Sequence, residues 1–152
     1  MDNLSALQSL QNVGIDYYFS GTGNYLIHEA VKAGAIKILN YLASKGADLN
    51  AVSKDEETAL TLGAELGRHD ALCIILQQGR GKVDINYPNR LGFTALQIAV
   101  KKGHKDLVSL LVEQGADIEV TTALGDSLLR MAQRAGHQEI VMLLVNAGAS
   151  LR

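Results

Sequence analysis

Apolar residues recur along this chain in short clusters that hold one register over most of its length. Ile38, Leu39 and Leu42 are matched by Leu72 and Ile75, by Leu107, Val108 and Leu111, and by Ile140, Val141 and Leu144. The spacing i, i+1, i+4 places the members of a cluster on one helical face. Glycines frame each cluster: Gly34, Gly67, Gly103 and Gly136 precede it, Gly46, Gly79, Gly115 and Gly148 follow it, and both series step by 33, 36 and 33 residues. Upstream, Ala30, Gly63, Ala99 and Ala132 each stand three residues after Ile27, Leu60, Leu96 or Leu129, and such small residues let one helix approach another closely. Each unit reads as a helix, a glycine turn, a second helix and a glycine stop able to take the left-handed conformation.

The pattern predicts helix pairs at 25–33 and 36–45, 58–66 and 69–78, 94–102 and 105–114, and 127–135 and 138–147. Between units, the segments Ala47 to Asn50, Val83 to Asn86 and Ala116 to Glu119 lead into turn formers at Ser53, Asn89 and Thr122, and Ser20 has the same role before the first unit. Projecting hairpin-like connections are expected there. The longer step arises from three extra residues within Arg80 to Val83, which lengthen one loop.

The third unit runs Gly92-Phe93-Thr94-Ala95-Leu96-Gln97-Ile98-Ala99, then Gly103-His104-Lys105-Asp106-Leu107-Val108, then Gly115-Ala116-Asp117. The fourth repeats Gly136-His137-Gln138-Glu139-Ile140-Val141, and the first ends Gly46-Ala47-Asp48-Leu49-Asn50. These residues resemble the ankyrin repeat family, whose period is 33 residues. The resemblance implies an all-α solenoid of stacked helix-turn-helix units with β-hairpin-like turns and an N-terminal capping helix. Residues 1–19 would form the cap and connector, and 20–52, 53–88, 89–121 and 122–152 the four repeats. The family's Thr-Pro-Leu-His start never appears whole: Thr58 and Thr94 are followed by Thr61 and Gln97 where histidine is expected, and His28 follows Tyr25 instead of threonine. A weakened side-chain tie between units is expected.

Stacked units leave apolar ends that need covering. Asp2 can start a capping helix with Leu4, Leu7, Leu10 and Val13 on one face and Gly14 as its stop, and Tyr17, Tyr18, Phe19 and Tyr25 would seal the joint to the first unit. At the other end Arg130, Gln133 and Arg134 make the last inner helix polar, as in a self-capping unit, while Leu151 and Arg152 stand where another unit could begin.

Composition narrows the function classes. The 152 residues carry a net charge of -2, which argues against a dedicated nucleic-acid binder. No uninterrupted apolar run is long enough for a membrane span, so a soluble protein is expected. One cysteine and an N-terminus reading Met1, Asp2, Asn3, Leu4 suit a reducing intracellular compartment, the cytoplasm first, with the nucleus or delivery into a host cell left open.

Catalytic chemistry finds few candidates. His104 and His137 recur with the repeat's turn, His69 reads as solvated or capping, and His28 has no second ligand at metal spacing. Cys73 shares its register with Asn40, Ser109 and Met142 and lies one helical turn from His69. Gly21-Thr22-Gly23 lacks the third glycine of a phosphate loop, and Gly23 matches the turn glycines Gly92 and Gly125, with Glu56 breaking that rule. No enzyme activity, cofactor, metal or small-molecule substrate is expected.

What the resemblance implies is a partner protein held on the concave face of turns and inner helices. The corresponding positions are Asn24 and Lys32, then Lys54, Asp55, Glu57 and Glu65, then Arg90, Leu91, Phe93, Lys101 and Lys102, then Leu124, Asp126 and Arg134. Leu91, Phe93 and Leu124, rimmed by Arg90, Lys101, Lys102 and Arg134, suggest an acidic segment with apolar anchors. A monomer is favoured. The competing reading is a substrate-docking domain of a larger enzyme or delivered effector.

Overall fold

The computed structural model describes residues 14–149. Two short strands, β1 (Tyr18–Phe19) and β2 (Asn24–Tyr25), pair antiparallel with Tyr18 opposite Tyr25. Eight helices follow among the described residues: α1 (Leu26–Ala33), α2 (Ile36–Ser44), α3 (Ala59–Leu66), α4 (His69–Gln78), α5 (Ala95–Lys102), α6 (Lys105–Glu113), α7 (Leu128–Ala135) and α8 (Gln138–Asn146). Odd-numbered helices pack in one row and even-numbered helices in a second, each pair antiparallel across a tight turn. The expected helix ends lie within one residue of these.

Local chemistry explains why the inner helices begin where they do. Thr58 Oγ1 accepts from the Thr61 backbone N–H, Thr94 Oγ1 from that of Gln97, and Ser127 Oγ from that of Arg130, at 3.2, 3.3 and 3.2 Å. Each hydroxyl thereby satisfies one orphan amide of a helix start. The predicted turn formers act alike: Ser53 Oγ accepts from Glu57 N–H, Asn89 Oδ1 from Leu91 and Phe93 N–H, and Thr122 Oγ1 from Asp126 N–H. Turns of adjacent units also meet directly, since Lys54 N–H donates to Gly23 C=O at 2.8 Å.

The core runs the length of the stack through the clustered apolar residues, with Leu39, Leu42, Leu72, Ile75, Leu107, Leu111, Ile140 and Leu144 buried. Gly63 permits the tightest approach, because a Cβ there would lie 2.0 Å from Leu72 Cδ1. The glycine stops need one correction. Gly79 has φ -94°, an ordinary conformation, and the left-handed turn has moved into the insertion at Gly81, φ 77°. Gly79 is required for space: a Cβ would meet Val83 Cγ2 at 2.3 Å and Leu49 Cδ1 at 2.7 Å.

The residues at 1–13 expected to cap the stack, including Leu4, Leu7, Leu10 and Val13, lie outside the described residues, as do Leu151 and Arg152. Of the aromatics assigned to the joint, Phe19 and Tyr25 pack against the core, whereas Tyr17 and Tyr18 are exposed. At the other end, the positions buried in the first three units as His28, Thr61 and Gln97, and as Val31, Ala64 and Val100, are Arg130 and Gln133 in α7, both exposed.

Candidate functional site: the turn and inner-helix face

Each turn presents its second and third residues to solvent and folds its last residue inward. Leu91 and Leu124 share one register position and are 75% and 89% exposed. Arg90 and Lys54, one residue earlier in their turns, are exposed as well. The residue just before each inner-helix N-cap behaves differently. Asn24 and Asp126 are buried, and Glu57 and Phe93 are half-buried. This corrects the assignment of Phe93 as a freely displayed anchor, because its ring packs against the core. It also corrects Asp126 as a displayed group.

The pairing of charges divides the expected basic rim. Arg134 Nη1 is hydrogen-bonded to Asp126 Oδ2, and Arg130 Nη1 lies 3.7 Å from Asp126 Oδ1, so this buried carboxylate is held by two guanidinium groups. Lys102 Nζ pairs with Glu65 Oε1 of the preceding unit at 2.9 Å. Lys101 Nζ instead stands 5.3 Å from the centre of the Phe93 ring, a cation–π contact, with no carboxylate of the described residues paired to its charge. Arg90 and Lys54 make no ion pair with a described residue. Lys54 is followed by the exposed acids Asp55 and Glu56, whereas Arg90 and Lys101 of the third unit stand unpaired to any described carboxylate beside the apolar side chains that the third and fourth turns display.

Leu66 belongs to this face and escaped sequence reasoning. It is 45% exposed at the last position of α3, where Ala33, Lys102 and Ala135 are also exposed. The register alone could have flagged it as a leucine on an exposed row.

The reactive side chains are accounted for by structure. His104 packs over Gly67 and His137 over Gly103, where an added Cβ would come within 3.0 and 2.7 Å of the imidazoles. Arg68 holds the same position in the second unit and donates to Lys32 C=O at 2.7 Å. His28 is fully buried, with Nδ1 3.1 Å from Tyr25 N and Nε2 2.8 Å from Glu57 O. Burial pushes its pKa below 6.5, against the opposing pull of the Glu57 and Ala51 carbonyls and the Glu29 charge. Cys73 Sγ lies 3.7 Å from His69 Nδ1, yet partial burial and then Asp70 push its pKa up, which favours the thiol over the nucleophilic thiolate. Among the described residues, no three His, Cys, Asp or Glu side chains are grouped to hold a metal ion.

A family model described as ankyrin repeats (3 copies) matches residues 27–122 and 78–152. The chain belongs to the ankyrin repeat family. It is 39% identical to alpha-latroinsectotoxin-Lt1a of Latrodectus tredecimguttatus over 95 residues, 62% of this chain and 6% of that protein. The ankyrin repeat and KH domain-containing protein mask-1 of Caenorhabditis elegans is 37% identical over 98 residues, 63% of this chain and 4% of that protein. The B-cell lymphoma 3 protein homolog of Mus musculus is 34% identical over 94 residues, 61% of this chain and 21% of that protein. The matched segment is therefore a small part of each of these relatives. Ankyrin repeats generally mediate protein–protein interaction, typically without catalysis. Among the described residues, no helix is long and apolar enough to cross a membrane.

Proposed function

We propose that this chain is a noncatalytic interaction module whose concave face receives an acidic segment of a partner protein carrying apolar anchors. The observation that carries the reading is the adjacency, in successive turns, of Leu91 and Leu124, with Arg90 and Lys101 beside them unpaired to any described carboxylate. Covering one such leucine contributes about 1.5–3 kcal/mol, and the rigid turns require little ordering on binding. Phe93, Lys102, Asp126 and Arg134 support the surface from beneath or beside it, and Lys54 marks its edge.

The test compares three immobilised proteins against one lysate: the native chain, a Leu91→Asp/Leu124→Asp double variant and a Met142→Ser control. Met142 is 64% exposed on outer helix α8. The reading expects binders that the native chain and the control retain and the double variant loses. Equal retention by all three overturns it.

A second reading, a docking domain within a larger enzyme or effector, is favoured by how little of each relative this chain spans. It predicts the same loss in the double variant, and a longer reading frame distinguishes it.

A further inference from the structure

Only the first of the four inner helices carries histidine at its third position, and the two bonds of that ring require one protonation state. His28 Nδ1 faces the Tyr25 backbone N–H and Nε2 faces the Glu57 carbonyl. An N–H only donates and a carbonyl only accepts, so the ring is the neutral tautomer with its proton on Nε2. A second proton would set N–H against N–H at Tyr25 in a fully buried site. The Nε2 bond crosses to the next unit. At the equivalent positions Thr61 turns back to its own N-cap and Gln97 Oε1 accepts from Thr94 N–H within its unit, and neither side chain titrates.

We infer that His28 is an acid-labile latch: protonation at Nδ1 turns its bond with the Tyr25 N–H into a clash in a buried site, the ring leaves that site and gives up its Glu57 bond as it goes, and the first unit (β1, β2, α1 and α2) opens from the second while the junctions beyond stay closed.

The charged groups near the ring are few. Glu29, on the same helix, accepts from Asn24 Nδ2 at 2.8 Å, and Glu57, on the following turn, accepts from Asn89 Nδ2 at 3.4 Å. Tyr25 presents its ring 6.1 Å away. The buried face of α2 is Ile38, Leu39 and Leu42, and that of α3 is apolar apart from Thr61. Burial is the dominant influence and disfavours the charged ring. A released His28, back near 6.5, binds the proton more readily than the latched one. The latch is therefore at full strength above that pH and weakens as pH falls through it.

Hydrogen exchange of the intact chain, corrected for intrinsic rates, tests this between about pH 7.5 and pH 5. Protection of α1 relative to α5 should fall as acidity rises, by up to about tenfold per pH unit for one linked proton. His28→Gln keeps an acceptor for Tyr25 N–H, as Gln97 does for Thr94, and removes the titration. Its α1 protection should be lower at neutral pH and independent of pH. A native α1 whose relative protection ignores pH, or a His28→Gln variant with the native slope, overturns the latch. If that variant fails to fold, NMR of the native His28 ring decides: an Nε2–H tautomer titrating below 6.5 supports the latch, and a midpoint at or above 6.5 overturns it.

Discussion

The junction between the first two units and the junctions beyond it start from the same backbone plan and end with different chemistry. In the first three units the third residue of the inner helix returns a bond to the backbone N–H of its own N-cap: His28 to Tyr25, Thr61 to Thr58 and Gln97 to Thr94, at 3.1, 2.9 and 2.9 Å. Only His28 also reaches across, to Glu57 C=O. Thr61 is too short to do so, and Gln97 Nε2 is buried without a partner among the described residues. Closing a helix start and joining two units are thus separable tasks. An imidazole does both because its two nitrogens point in opposite directions, with one accepting and one donating. In the fourth unit Arg130 has only donors and is exposed, so it performs neither.

The largest test of this contrast is His28→Ala. It leaves Tyr25 N–H and Glu57 C=O without their partner and opens a ring-sized void, so a loss of about 3 kcal/mol is expected at neutral pH. Gln97→Ala removes only the bond within its own unit and should cost less than half as much. Equilibrium urea unfolding of the two variants measures the difference. Equal losses would mean that the cross-junction bond contributes nothing measurable.

A smaller effect runs in the opposite direction. Gln97→His should place an Nε2–H where the amide now has no partner, facing the fourth unit, and stabilise the chain by about 1 kcal/mol. The rise should appear as a higher urea midpoint with an unchanged slope. A decrease would show that the α5 site cannot seat an imidazole as α1 does.

Much of this architecture was legible because it follows from local rules. Helix limits followed from paired glycine series and the apolar spacing, and the turn formers Ser53, Asn89 and Thr122 bond as their side chains dictate. The face for a partner was legible only by position. Whether a turn residue is displayed depends on how the turn folds over its own helix, and that hid the inward placement of Asn24, Glu57, Phe93 and Asp126. Charge pairing was hidden as well, since Arg134 meets Asp126 across its own turn and Lys102 meets Glu65 of another unit. The tie between units was expected to be weak throughout, with Tyr25 counted against the first unit. At the first junction the structure retains that tie, because His28 Nε2 bonds Glu57 C=O of the second unit while Nδ1 takes the Tyr25 backbone N–H, a donor that does not depend on the side chain at 25.

The second unit's turn gives the finest test of how far the units are equivalent. Gly23, Gly92 and Gly125 occupy the left-handed region with φ 76°, 82° and 85°, and Glu56 follows them with φ 61°. Its backbone N–H donates to Ser53 C=O at 2.9 Å, as Gly92 N–H does to Asn89 C=O. The second turn therefore closes with the same bond as the third even though its left-handed residue carries a side chain. A non-glycine residue there costs about 1–2 kcal/mol. Glycine removes that strain but gives the unfolded chain more freedom, which offsets roughly 0.5–1 kcal/mol of the gain. Glu56→Gly should accordingly stabilise the chain by about 0.5 kcal/mol, read again as a shifted urea midpoint. Because Glu56 is exposed and leaves the junction bonds untouched, the variant should not alter the difference between His28→Ala and Gln97→Ala. A change in that difference would mean that turn strain and junction strength are coupled, and the two tasks distinguished above would then not be separable.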